Sequence, residues 1–137
     1  IIISHFVLQN ISLTFNDIKV EKFVAESKLR ELSTDFAVKV IKLCETIKGH
    51  YSITNQLERS ATSIGANIHE ANYAQSKADF VSKMHIALKE TAETEYWLRL
   101  LVLSEYISET KGKSLLDDCL EIKRILISTL NTAKDTK

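Results

Sequence analysis

The chain contains no proline, and glycine occurs only three times in 137 residues. A strand-rich fold needs turn residues at short intervals, so this scarcity argues for long helices joined by few connections. Cysteine is nearly as scarce. Cys44 and Cys119 both fall inside apolar helical patterns, and neither sits at metal-ligand or disulfide-framework spacing. They read as small buried hydrophobes in a reducing compartment. Net charge is missing as well: eighteen Lys and Arg balance eighteen Asp and Glu. None of the segments 16–49, 50–75, 76–106 and 107–137 departs from neutrality by more than one charge. The most direct argument for a nucleic-acid or anionic-membrane partner is therefore absent. No apolar run approaches the ~20 residues of a membrane span, and the apolar start lacks the basic region and small-residue cleavage site of a signal peptide. A cytoplasmic protein with no membrane partner is expected.

What is present is an ordinary globular balance, 45% hydrophobic and 26% charged in 15.5 kDa, enough for one domain with a real core. Leu29, Leu32, Phe36, Val40, Leu43 and Ile47 recur at steps of three and four and form one stripe of a helix that Gly49 ends. Val20, Phe23 and Val24 fall off that stripe, so the core helix is expected to start near Ser27. A second stripe is Leu57, Ala61, Ile64, Ile68 and Ala71, with Ser52 or Thr54 able to cap it. Gly65 in its middle costs roughly 1 kcal/mol of helix propensity, which implies that something packs closely there. Ser76 followed by Asp79 resembles a capping box for a third helix. On it Phe80, Met84, Ala87, Thr91, Thr94, Leu98 and Leu101 make one stripe. Val81, Leu88 and Leu103 flank it on one side, and Ile86, Trp97 and Leu100 on the other. So much apolar girth exceeds what a lone bundle buries and suggests subunit contacts. Leu115, Cys119, Ile122, Leu126, Thr129 and Ala133 define a fourth helix over about 113–134.

Four amphipathic helices with short connections predict an all-α, antiparallel up-down-up-down four-helix bundle over residues 27–137. Residues 1–26 are expected to form an N-terminal leader or arm, either lying over the bundle or a neighbouring subunit or having no fixed structure. A di-metal carboxylate site would need Glu-x-x-His on two helices. The residues three before His5, His50, His69 and His85 are Ile2, Ile47, Ala66 and Ser82, so no metal site is expected. Neither a glycine-rich phosphate loop nor a Cys-x-x-Cys occurs, and no cofactor or small-molecule substrate is identified.

Glu90 and Glu93 lie one turn apart and could in principle share acid–base work, yet solvated helix charges are the commoner outcome. Tyr96 and Trp97 are read as core or interface anchors in preference to a base-stacking platform. The basic residues Arg59, Lys77, Lys83, Lys89 and Arg99 are the nucleic-acid contacts to consider. All have acidic residues nearby in sequence.

The stretches Arg59-Ser60-Ala61-Thr62-Ser63-Ile64-Gly65-Ala66-Asn67-Ile68-His69-Glu70 and Glu93-Thr94-Glu95-Tyr96-Trp97-Leu98 resemble those of the four-helix-bundle proteins of the 23S rRNA intervening-sequence family. The similarity spans residues 29 to 134. A related branch is the accessory variability determinant of diversity-generating retroelements, a basic ring that binds a reverse transcriptase and nucleic acid. The resemblance implies a ring-like homo-oligomer, a pentamer being favoured, with no enzymatic activity and no catalytic residue. It also carries Arg59, Ser60, Ser63, Asn67, Glu70, Glu90, Glu93, Tyr96 and Trp97 over as family-motif or interface positions. Arg59 or Asn67 is expected to bond Glu90 or Glu93 across a close approach of helices two and three. The leading expectation is a non-catalytic scaffold or assembly module that accompanies a nucleoprotein process; the alternative is a direct RNA- or DNA-binding accessory protein.

Overall fold

The structure, a computed structural model, describes residues 2–135, with side chains from residue 15 onward. Four helices follow one another: α1 (Ile2–Thr46), α2 (Tyr51–Ala71), α3 (Lys77–Leu103) and α4 (Glu109–Asp135), with no strand among the described residues. Each helix packs on its neighbours in a cycle, α1 on α2, α2 on α3, α3 on α4 and α4 back on α1. The up-down arrangement follows from connections of a few residues, which leave consecutive helices no choice but to run antiparallel.

The expected stripes are the core. Leu29, Phe36 and Val40 of α1, Leu57, Ala61 and Ile64 of α2, Met84, Ala87 and Leu98 of α3, and Cys119, Ile122 and Leu126 of α4 are each at most 1% exposed. Threonines on the buried stripes cost little because their hydroxyls donate back one turn: Thr91 to Ala87 O and Thr129 to Ile125 O, at 2.8–2.9 Å. Burial pushes the Cys119 thiol up to about 12 and the half-buried Cys44 thiol up to about 11, neighbouring Glu95 and Glu58 adding to the shift. Both cysteines are free.

Three boundaries differ from expectation, each for a physical reason. The core helix does not begin near Ser27 but is continuous from Ile2, since nothing in residues 2–46 breaks it. Val20, Phe23 and Val24 leave the stripe because they face solvent, at 56–67% exposure, and not because the helix has ended. Burial starts at Ala25 to Leu29, which is where the pattern placed the bundle. The side chains of the leader up to residue 14, and so what they lie against, fall outside the described residues.

Neither Ser52 nor Thr54 caps α2. Gly49 (φ 80°) and His50 (φ 49°) are both left-handed, the chain turns within two residues, and the helix begins at once with no side-chain cap. The His50 ring lies on Tyr106, centroids 4.5 Å apart. α4 starts four residues earlier than expected, because the Ser108 hydroxyl accepts the Lys111 N–H and caps it.

The Ser76 cap holds as expected, its hydroxyl accepting the Asp79 N–H at 3.1 Å, while the Asp79 carboxylate reaches back to the Gln75 N–H. The close approach at Gly65 is also real. A Cβ there would stand 3.4 Å from the hydroxyl of Ser33, a fully buried α1 residue.

Candidate functional site: the polar seam of α2 and α3

Steps of three and four along α2 bring Gln56, Arg59, Ser63, Asn67 and Glu70 to one side of its buried stripe. The same periodicity on α3 brings Lys83, Ile86, Glu90, Glu93 and Trp97 to the side that meets them. At the centre of this seam the Arg59 guanidinium donates to Glu93 Oε1 at 2.5 Å and stands 3.5 Å from Glu90 Oε2. The second contact is an ion pair without hydrogen-bond geometry: Glu90 Oε2 is buried and accepts no hydrogen bond. The indole N–H of Trp97 also donates to Glu93 Oε1, at 3.2 Å. Arg59 is further oriented by Gln56, whose side-chain oxygen accepts from Nε at 3.3 Å.

The electrostatics follow from these contacts. Hydrogen bonds from Arg59 and Trp97 hold the Glu93 carboxyl below the usual carboxylate range, and Glu93 with Glu90 raises Arg59. A carboxylate held ionised by two donors is a poor proton donor near neutrality. Its role here is to tie α3 to α2 at the rim of the core.

Ser60 turns inward. It is fully buried, accepts from Thr94 Oγ1 at 2.9 Å and donates to Leu57 O, making a hydrogen-bonded bridge between α2 and α3 inside the bundle. Of the two residues expected to bond across the seam Arg59 does so, whereas the Asn67 amide donates to Ser63 O, one turn back on its own helix, at 2.8 Å. Glu70 instead finds Lys83 of α3 at 2.6 Å, a pairing the sequence reading missed because thirteen residues and a turn separate them. Tyr96 is 57% exposed and only borders the seam, its ring edge-on to Trp97 with centroids 4.9 Å apart.

The five basic residues considered for nucleic acid do not converge. Arg59 and Lys83 lie in the seam and are paired with carboxylates. Arg99 bonds Glu95 at 3.0 Å on the α4 side, where Lys123 also reaches Glu95. Lys77 opens α3 at the other end, and Lys89 is exposed on its outer surface. Among the described residues no group of His, Cys, Asp and Glu has the arrangement of a metal site, and no helix is long and apolar enough to cross a membrane.

A bundle with a polar, ion-paired seam outside an apolar core defines an all-α, four-helix protein. The chain belongs to the family described as 23S rRNA-intervening sequence protein, whose model matches residues 25–128. It is similar to a solved protein of unknown function from the S23 ribosomal protein family of Bacteroides thetaiotaomicron VPI-5482. The two are 43% identical with a TM-score of 0.74, over 78% of this chain and 98% of that one. No curated protein matches the chain. The α2 and α3 stretches that carry the resemblance lie within the matched region.

Proposed function

We propose that this chain is a non-catalytic helical module that assembles with copies of itself into a closed ring, a pentamer being favoured, and that the ring scaffolds a nucleoprotein process in the cytoplasm. The observation that carries this reading is the outer surface of α3. Its core stripe is buried, yet Tyr96 and Leu103 are 57% and 81% exposed, and Tyr106 just beyond the helix is 40% exposed. Large aromatic and aliphatic side chains grouped on one element are the material of subunit interfaces. A ring is also what the resemblance to the intervening-sequence family implies. Two free cysteines suit a reducing compartment.

Direct nucleic-acid binding ranks second on the charge pairing described above. Arg59, Lys83 and Arg99 already hold carboxylates, so little remains to release counterions from a phosphate backbone. Light scattering tests the first reading: a mass several times 15.5 kDa is expected, and a monomer at micromolar concentration overturns it. Labelled RNA and DNA titrated at low and near-physiological salt test the ranking, since tight binding at the higher salt reverses it.

A further inference from the structure

Along the seam of α1 and α4 the charges pair until the last step. Lys28 meets Glu121 at 3.2 Å and Lys39 meets Asp118 at 2.8 Å. One turn further along α1, Lys42 faces a groove of about 360 Å³ whose other wall, on α4, carries Lys111 and Ser114. Neither Lys42 nor Lys111 has a carboxylate partner among the described residues. The floor between them is Leu43 and Leu115, each nearly buried at 4% and 5% exposure. Three ammonium groups therefore stand around an apolar floor; Lys39 is balanced by Asp118, with Asp35 also near it, which leaves Lys42 and Lys111 facing the groove.

We propose that this groove docks a short acidic peptide segment of a partner protein, with an apolar side chain on Leu43 and Leu115 between carboxylates that reach Lys42 and Lys111. The proposal rests on the scaffold reading and names the chemistry of what the scaffold holds. Charge complementarity favours an anion, because two unpaired cations facing one cavity repel each other and attract the opposite sign. The neighbourhood selects a peptide over a nucleic-acid backbone. A phosphodiester chain leaving the groove along α4 would run onto Asp118 and then Glu121, and Lys113 is already held by Asp117 at 2.7 Å. Bases also stack on aromatic rings, and no aromatic side chain lines the groove. An apolar floor with a cationic rim is instead matched by a leucine or phenylalanine flanked by Asp and Glu.

The test uses the full chain and three fluorescein-labelled probes: the hexapeptide Asp-Glu-Leu-Phe-Glu-Asp, its counterpart with Lys at every acidic position, and an oligothymidylate. Binding is followed by anisotropy and by the methyl NMR signals of Leu43 and Leu115. The acidic peptide is expected to shift both methyl sets saturably, the basic one not. Lys42→Glu with Lys111→Glu, two surface changes that leave the core intact, should weaken binding by about tenfold or more, while Lys89→Glu leaves it unchanged. Three results overturn the proposal: no methyl shift at millimolar peptide, an unchanged affinity in the double variant, or oligothymidylate occupying the same methyls more tightly than the peptide. Light scattering on the same samples separates the two readings. An oligomer without peptide binding sinks the groove and leaves the assembly, whereas a monomer that binds peptide sinks the assembly and leaves the groove.

Discussion

Arg59 and Trp97 converge on a single atom, Glu93 Oε1, the guanidinium from α2 at 2.5 Å and the indole N–H from α3 at 3.2 Å. The arrangement makes the ionised carboxylate the fixed point of the α2–α3 rim, which gives the first prediction its sign. The folded-state pKa of Glu93 is depressed, so its contribution to stability is fully present above the unfolded value of about 4.3 and is lost as pH falls through the lower folded value. Glu93→Gln should be less stable than the parent at pH 7, by no more than about 1 kcal/mol because water screens the partly exposed pair. The gap should begin to narrow below about pH 4.3 and close once the pH is under the lower folded value. Urea melts at the two pH values measure it, and a gap that widens in acid contradicts the assignment.

Gly112 lets α4 approach the end of α3 closely. A Cβ built there would collide with Val102 Cγ2, and valine in a helix has little rotamer freedom to yield. Gly112→Ala should therefore destabilise the fold by about 1–3 kcal/mol despite its better helix propensity. Val102→Ala in the same chain removes the collision and should recover much of the loss. A double-mutant thermal cycle reads the coupling directly.

At the C-terminus of α3 the chain closes a Schellman motif: Tyr106 N–H bonds Leu101 O and Glu105 N–H bonds Val102 O. The residue in the left-handed position is Glu105, φ 63°, where glycine is the usual choice. Glu105→Gly should raise stability by up to about 1 kcal/mol, the steric cost of a Cβ in that conformation. A lowered melting temperature would mean that the Glu105 side chain contributes something the backbone geometry does not reveal.

The outer surface of α3 gives a sharper test of assembly than Trp97 does. Trp97 packs partly on the core and bonds Glu93, so Trp97→Ala mixes folding with association. Tyr96→Asp and Leu103→Asp touch side chains 57% and 81% exposed and should leave helicity intact. Each should lower the mass seen by light scattering towards 15.5 kDa, because a charge desolvated in an apolar interface without a partner opposes association. An unchanged mass in both variants moves the interface off this face.

The helices were legible in the sequence because burial follows one face per helix, and a period of three to four residues records that face directly. Val20, Phe23 and Val24 misled for the converse reason: they are apolar but exposed, so the pattern read a boundary where only burial changes. The start of α2 was hidden because its geometry comes from two left-handed residues, one of them His50, and positive φ is uncommon for any residue but glycine. Arg59 with Glu93 could be expected from their faces. The destination of Asn67 could not, since an amide bonds its own helix as readily as the next. Lys42 and Lys111 were invisible as a pair, being remote in sequence and joined only by the antiparallel return of α4.

The buried bridge between Ser60 and Thr94 sets the register of α2 against α3. Thr94 Oγ1 donates to Ser60 Oγ, which itself donates to Leu57 O, and both residues are fully buried. Thr94→Val keeps the shape but leaves the Ser60 oxygen without its donor, at a cost of about 1–3 kcal/mol for the unmet acceptor. In Ser60→Ala the Thr94 hydroxyl turns its proton to Glu90 O, 2.7 Å away, so the change should cost less, about 0.5–1.5 kcal/mol. With both changes no polar atom is left unmet, so the double variant should be more stable than Thr94→Val alone. Strictly additive losses would show that the two hydroxyls act independently and that the register is held by the apolar stripes.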